Sequence, residues 1–110
     1  MIDLGSTQLS LPVCLAPLAG ITDLPFRNLV QSFGAGLVVS EMIASQEMVD
    51  AKYSVRDKAE LGFSVENTSV QIAGRDPYRM SEAAKLIADQ GARVIDINMG
   101  CPAKKVVNGY

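Results

Sequence analysis

Val94-Ile95-Asp96-Ile97-Asn98-Met99-Gly100-Cys101-Pro102 is the stretch on which the fold of this chain turns. Val94 to Ile97 is dominated by β-branched residues and a turn signal follows at once, so it reads as a buried strand. The strand ends in Asn98, breaks at Gly100 and delivers a thiol at Cys101, after which Pro102 fixes the chain direction. An amide and a thiol thus stand at the carboxyl end of a strand, which is where α/β proteins bind their ligands. Asp96 and Asn98 share one strand face, because side chains alternate with period two; Ile95 and Ile97 point the other way, toward the expected helices.

Working back from this strand, the same unit recurs. Met80, Ala83, Ala84, Ile87 and Ala88 form an apolar stripe, preceded by the Asp76-Pro77 start signal and stopped by Gly91, which predicts a helix. Ser69 to Ala73 is a strand ending at Gly74, with Gln71 on the face of Ser69 and Ala73. Leu37 to Ser40 is a shorter strand closing on Glu41 and Met42. Before it, Phe26, Leu29, Val30 and Phe33 give a helix one apolar face. Thr22 or Asp23 supplies its cap, Pro25 suits its first turn, and Gly34 stops it. Leu11 to Ala16 reads as a first buried strand ending in Pro17-Leu18-Ala19-Gly20, small residues that let a ligand approach the backbone. Residues 2–10 read as two extended pieces around a Gly5-Ser6 turn, Ser45 to Lys52 as a helical stretch, and Ser54 to Leu61 as a short helix.

The order β-α-β-α-β-α-β, with strands about twenty to thirty residues apart, predicts parallel βα units with right-handed crossovers. Four such steps are half of an eight-stranded barrel. The expected fold is therefore α/β, a TIM (β/α)8 barrel of which residues 1–110 supply about the first four βα units, a half-barrel fragment. An open four-stranded sheet is the competing complete fold. Polar and small groups on the inward face near the strand ends fit the mouth of a barrel better.

Composition excludes several classes. With 48% apolar and 20% charged residues over 110 positions, the chain is globular and large enough for one core. A net charge of −2 gives no basic footprint, so a nucleic-acid partner would need most of its phosphate contacts from elsewhere. There is no histidine, which removes the commonest general base and metal ligand. Cys14 and Cys101 form neither a disulfide framework nor a zinc motif, and no metal is expected. Reduced thiols suit the cytoplasm. No signal peptide is expected, because no basic run precedes an apolar stretch; the longest such stretch, Leu11 to Leu18, is too short to cross a membrane.

Cys101 is the leading candidate for chemistry. A thiol surrenders a proton far more readily than a hydroxyl, and the glycine and proline around it shape a loop rather than fill a core; an inert buried cysteine is the competing reading. Cys14, inside an apolar run, reads as packing. Gln71 can both donate to and accept from a planar heterocycle, or it can be a satisfied interior amide, and Asn98 carries the same two readings. Glu41 and Asp96 read as structural hydrogen-bonding groups, and Lys104-Lys105 as a solvated pair or a phosphate contact.

Four segments in order carry a resemblance: Ala16-Pro17-Leu18-Ala19-Gly20-Ile21-Thr22-Asp23; Ser40-Glu41-Met42; Val70-Gln71-Ile72-Ala73-Gly74; and Asp96-Ile97-Asn98-Met99-Gly100-Cys101-Pro102 with Lys104-Lys105-Val106. Together they resemble the tRNA-dihydrouridine synthases, most nearly the bacterial B-type branch. The resemblance implies an FMN-binding barrel followed by a helical tRNA-binding domain that is absent from residues 1–110. It further implies NADPH as reductant and tRNA as substrate, whose uridines become 5,6-dihydrouridine. By the same resemblance Pro17, Leu18 and Ala19 run along the flavin, Gln71 bonds it, Cys101 is the general acid, and Asn98 contacts flavin or uracil. Leu18 replaces a methionine common in the family, a volume-conserving change.

Two other readings are carried forward. One is a different FMN barrel, of dihydroorotate dehydrogenase or old-yellow-enzyme type, which would not be expected to carry Asn-Met-Gly-Cys-Pro-Ala-Lys-Lys. The other is a non-catalytic half-barrel that self-associates through open strand edges. Isolated residues 1–110 are expected to bind FMN weakly or not at all and to lack synthase activity. A yellow, flavin-loaded monomer after purification would contradict this.

Overall fold

The structure, a computed structural model, describes residues 2–45, 67–104 and 106–107. The helices expected within 45–52 and 54–61 lie outside these residues, apart from Ser45. The chain opens with an antiparallel hairpin, β1 (Ile2–Leu4) and β2 (Thr7–Leu9). Its two-residue turn places Gly5 at φ +58, a backbone region that favours glycine.

A parallel sheet follows, built from β3 (Cys14–Leu15), β4 (Leu37–Val39), β5 (Ile43–Ala44), β6 (Thr68–Ala73) and β7 (Val94–Asn98). β3 pairs β4, β4 and β5 both pair β6, and β6 pairs β7, all parallel. Each strand lies beside the one before it in the chain, with no reversal of order. All carboxyl ends therefore share one rim of the sheet.

β4 and β5 are one strand with a bulge. Val39 pairs Ser69 and Ile43 pairs Ile72, so four steps on one side (39 to 43) match three on the other (69 to 72). The extra residue falls among Ser40, Glu41 and Met42, where it re-aims the side chains that follow.

Two described helices cover the sheet. α1 (Leu24–Ser32) is capped by Asp23, whose carboxylate accepts from the Phe26 amide at 3.0 Å, with Pro25 in its first turn. α2 (Pro77–Asp89) is capped by Asp76 in the same way, through the Tyr78 amide at 3.2 Å. α2 ends with the amides of Gly91 and Ala92 donating to the carbonyls of Ala88 and Ile87, the paired bonds of a Schellman ending, and Gly91 sits at φ +104. Ala83 and Ile87 on α2 are fully buried against Val70, Ile72 and Ile43, and this is the hydrophobic core.

Several expectations are corrected. The first strand is laddered only at Cys14–Leu15, not over 11–16, and Cys14 is exposed rather than packed. β3 is held by β4 alone among the described residues, so an apolar run there does not imply cover. The apolar face expected for α1 is largely open, with Leu29 at 55% and Phe33 at 84% exposure; the helix buries Arg27 instead. Ile97 is also exposed, although Ile95 on the same face packs against the core. Periodicity identifies a face but not what lies against it. Among the described residues no helix is long and apolar enough to cross a membrane.

Candidate active site

The carboxyl ends of β6 and β7 carry a row of polar side chains on the face turned away from α2. Register sets Gln71 beside Asp96 and Ala73 beside Asn98. The Gln71 carboxamide, only 7% exposed, donates through Nε2 to Asp96 Oδ2. Its Oε1 accepts from Asn98 Nδ2 at 3.4 Å, and Asn98 Oδ1 accepts from the Gly100 amide at 2.9 Å. That last bond is an Asx turn, the local reason the chain bends between Asn98 and Cys101. Asn98 Nδ2 also meets Met42 Sδ at 3.5 Å, a contact reached across the bulge. Once these bonds are made, Gln71 keeps one N–H and one carbonyl lone pair. That donor and acceptor on one small plane match the edge of an imide-type heterocycle.

Ser40 supports this row from below. It is fully buried, its amide continues the ladder to Ser69 O at 2.8 Å, and its hydroxyl accepts from the Gln71 amide at 3.1 Å where the bulge leaves no carbonyl. Ser40→Ala would leave the Gln71 N–H unpaired in the interior. The expected loss of stability is about 1–3 kcal/mol. Urea unfolding checks this, and an unchanged midpoint would count against the serine's role.

Cys101 is half-buried, with a free thiol. It lines a cleft of about 230 Å³ together with Gly74, Arg75, Asn98, Met99 and the Val106–Val107 turn. Cys101 and Asn98 thus border one space. Pro17, Leu18 and Ala19 sit on the same rim but do not line this cleft: they follow β3, and β4 intervenes before β6. At about 4.8 Å per strand, that offset is roughly 10 Å.

The loop after β3 has its own anchor. Thr22, fully buried, accepts from the Leu18 amide at 3.0 Å and returns its hydroxyl to the Leu18 carbonyl at 3.1 Å. The Ile21 and Thr22 amides donate to that carbonyl as well. Arg27, 2% exposed, donates from Nη1 to the Thr22 carbonyl at 2.9 Å. Burial lowers the guanidinium from its ordinary pKa, and the charges of Asp23 and Glu41 partly restore it. One buried cation therefore ties the Leu18–Thr22 turn to α1 and feels the carboxylate of Glu41 in the bulge.

Of the residues expected from sequence, Gln71, Asn98 and Cys101 are brought to one end of the sheet, and Asp96 hydrogen-bonds as its reading anticipated. Ser40, Thr22 and Arg27 were missed as supports. For Ser40 the available signals were its place at the close of the apolar run Leu37 to Val39 and its presence in the Ser40-Glu41-Met42 segment of the resemblance, neither of which gave it a supporting role; an arginine within the α1 pattern carried none.

The chain matches the family model "Dihydrouridine synthase (Dus)" over residues 14–110. A probable tRNA-dihydrouridine synthase of Rhodobacter capsulatus is 63% identical over 109 residues, covering 98% of this chain and 34% of that protein. One from Rickettsia bellii is 52% identical over 111 residues, covering 100% and 34%. The tRNA-dihydrouridine synthase B of Proteus vulgaris is 50% identical over 107 residues, covering 94% and 32%. The chain spans about a third of the length of the curated relatives it matches.

Proposed function

The chain belongs to the dihydrouridine synthase family, and from that premise we propose that it supplies the first part of an FMN-dependent barrel that reduces tRNA uridines to 5,6-dihydrouridine in the cytoplasm, with NADPH as reductant. The observation that carries the reading is the convergence of Gln71, Asn98 and Cys101 on the carboxyl ends of adjacent parallel strands. The unreversed strand order supports a barrel over a doubly wound sheet, whose order reverses at a switch point.

The residues present fit a flavin. Gln71 retains one donor and one acceptor for a heterocycle edge, and the Pro17–Ala19 loop is held on the same rim by Thr22 and Arg27. A reduced flavin held by Gln71 and the Pro17–Ala19 loop would supply the hydride that the uracil ring takes up at C6. Cys101 holds the proton that C5 then requires, the residue bordering a cleft with room for a substrate edge. Asn98 orients that edge from the end of β7, three residues before Cys101. Because a stacked base cannot reach such a rim, the uridine is turned out of its stack before Cys101 and Asn98 meet it.

The test is turnover by the complete synthase on unmodified tRNA, set against orotate-type and enone substrates. Dihydrouridine formation with no reaction on the other two is the expected result. Preferred reduction of an enone or oxidation of dihydroorotate would overturn the reading.

A further inference from the structure

The polar row on β6 and β7 has a direction. A carboxylate has no hydrogen to give and a backbone N–H has no lone pair, so the two ends of the row, Asp96 and Gly100, are chemically fixed. Between them stand two carboxamides, each of which is satisfied in only one orientation. Gly100 N–H donates to Asn98 Oδ1, Asn98 Nδ2 donates to Gln71 Oε1, and Gln71 Nε2 donates to Asp96 Oδ2. Flipping either amide would set N–H against N–H at one link and oxygen against oxygen at the next. With Gln71 only 7% exposed, water is poorly placed to repair such a mismatch.

We propose that Asp96 is the positioning residue of this site. Its carboxylate sets the polarity of the Gln71–Asn98 relay, and through the Gly100 amide it fixes the backbone that presents the Cys101 thiol. Asp96 itself need touch neither cofactor nor substrate. It decides which atoms Gln71 and Asn98 turn toward the ligand, and it does so for both with one negative charge.

The experiment compares Asp96→Asn with the swap Gln71→Glu plus Asp96→Asn in the complete protein. Asparagine at 96 has the same shape but can serve as donor or acceptor, so the row keeps only its exposed Gly100 end as a fixed point, where water can replace the bond and release the Asn98 amide. The swap moves the carboxylate one link along, where it still accepts from Asn98 and so still directs the Asn98–Gly100 half. Two readouts need no catalysis: the NMR shifts of the Gly100 amide and the Asn98 side-chain NH2, and the rate at which iodoacetamide alkylates Cys101. Asp96→Asn is expected to move both, and the swap to return both to wild-type values. The swap should still bind FMN more weakly, having lost the Nε2 donor.

A third readout rests on the functional reading above. In Asp96→Asn, kcat for dihydrouridine formation falls about 10²-fold, the scale of a small misplacement at a reacting centre, with KM for tRNA unchanged. Wild-type shifts and alkylation in Asp96→Asn, or a swap that restores neither, would overturn the proposal. Should Asp96→Asn not fold, the swap, which keeps one carboxylate in the row, decides alone. If the wild-type protein forms no dihydrouridine, the functional reading falls, while the NMR and alkylation results still decide the relay.

Discussion

Cys101→Ala is expected to lower dihydrouridine formation by the complete synthase about 10²–10⁴-fold, the contribution of a positioned general acid. Cys101 borders the cleft at the end of β7. Its removal deletes a proton source and little else. Gln71 is held by Asp96 and Asn98, and the Pro17–Ala19 loop by Thr22 and Arg27, so neither depends on the thiol. FMN content and unfolding midpoint should therefore stay near wild type. Turnover close to wild type would remove Cys101 from the mechanism. Loss of flavin together with activity would make it a structural residue.

The largest expected loss of stability lies far from the thiol, at Gly36. A Cβ built there would overlap the Leu11 carbonyl oxygen and fall 3.0 Å from its carbon. Those are backbone atoms, and the Gly36 amide is itself bonded to the Val13 carbonyl at 2.8 Å, so neither chain can step aside without breaking the entry to β4. Gly36→Ala is expected to cost about 3 kcal/mol or more, the upper end of what steric intrusion into a closely packed interior costs, because the atoms it meets are backbone. Urea unfolding, or failure to obtain folded protein, reads the effect. A loss below about 1 kcal/mol would show that the Leu11–Val13 segment yields easily.

Local signals were the most readable part of the chain. Asp23 with Pro25 and Asp76 with Pro77 start helices, Gly34 and Gly91 end them, and β6 and β7 appear within a residue of where β-branched runs place them. What the sequence could not tell was which apolar face finds a partner. The stripe on α2 is buried at Ala83 and Ile87, whereas the stripe on α1 leaves Phe33 in the open, though the two patterns look alike on paper. Within the site, residue type pointed to Gln71, Asn98 and Cys101. The bonds joining them depend on register and on the bulge at Ser40–Met42, which arises from a difference of one residue between paired strands and leaves no mark in composition. Arg27 was invisible for a related reason: a charge inside a helix reads as solvated until its neighbours are known.

The unreversed strand order also bears on how the chain is made. Each parallel strand of the sheet finds its partner in the strand synthesised just before it, β4 on β3, β6 on β4 and β5, β7 on β6. Each of these described pairings can form as soon as its later strand emerges, and only the outer edges of β3 and β7 are left without a partner among the described residues. A chain emerging from the ribosome over seconds can therefore extend this sheet from its first strand outward, in the order of translation.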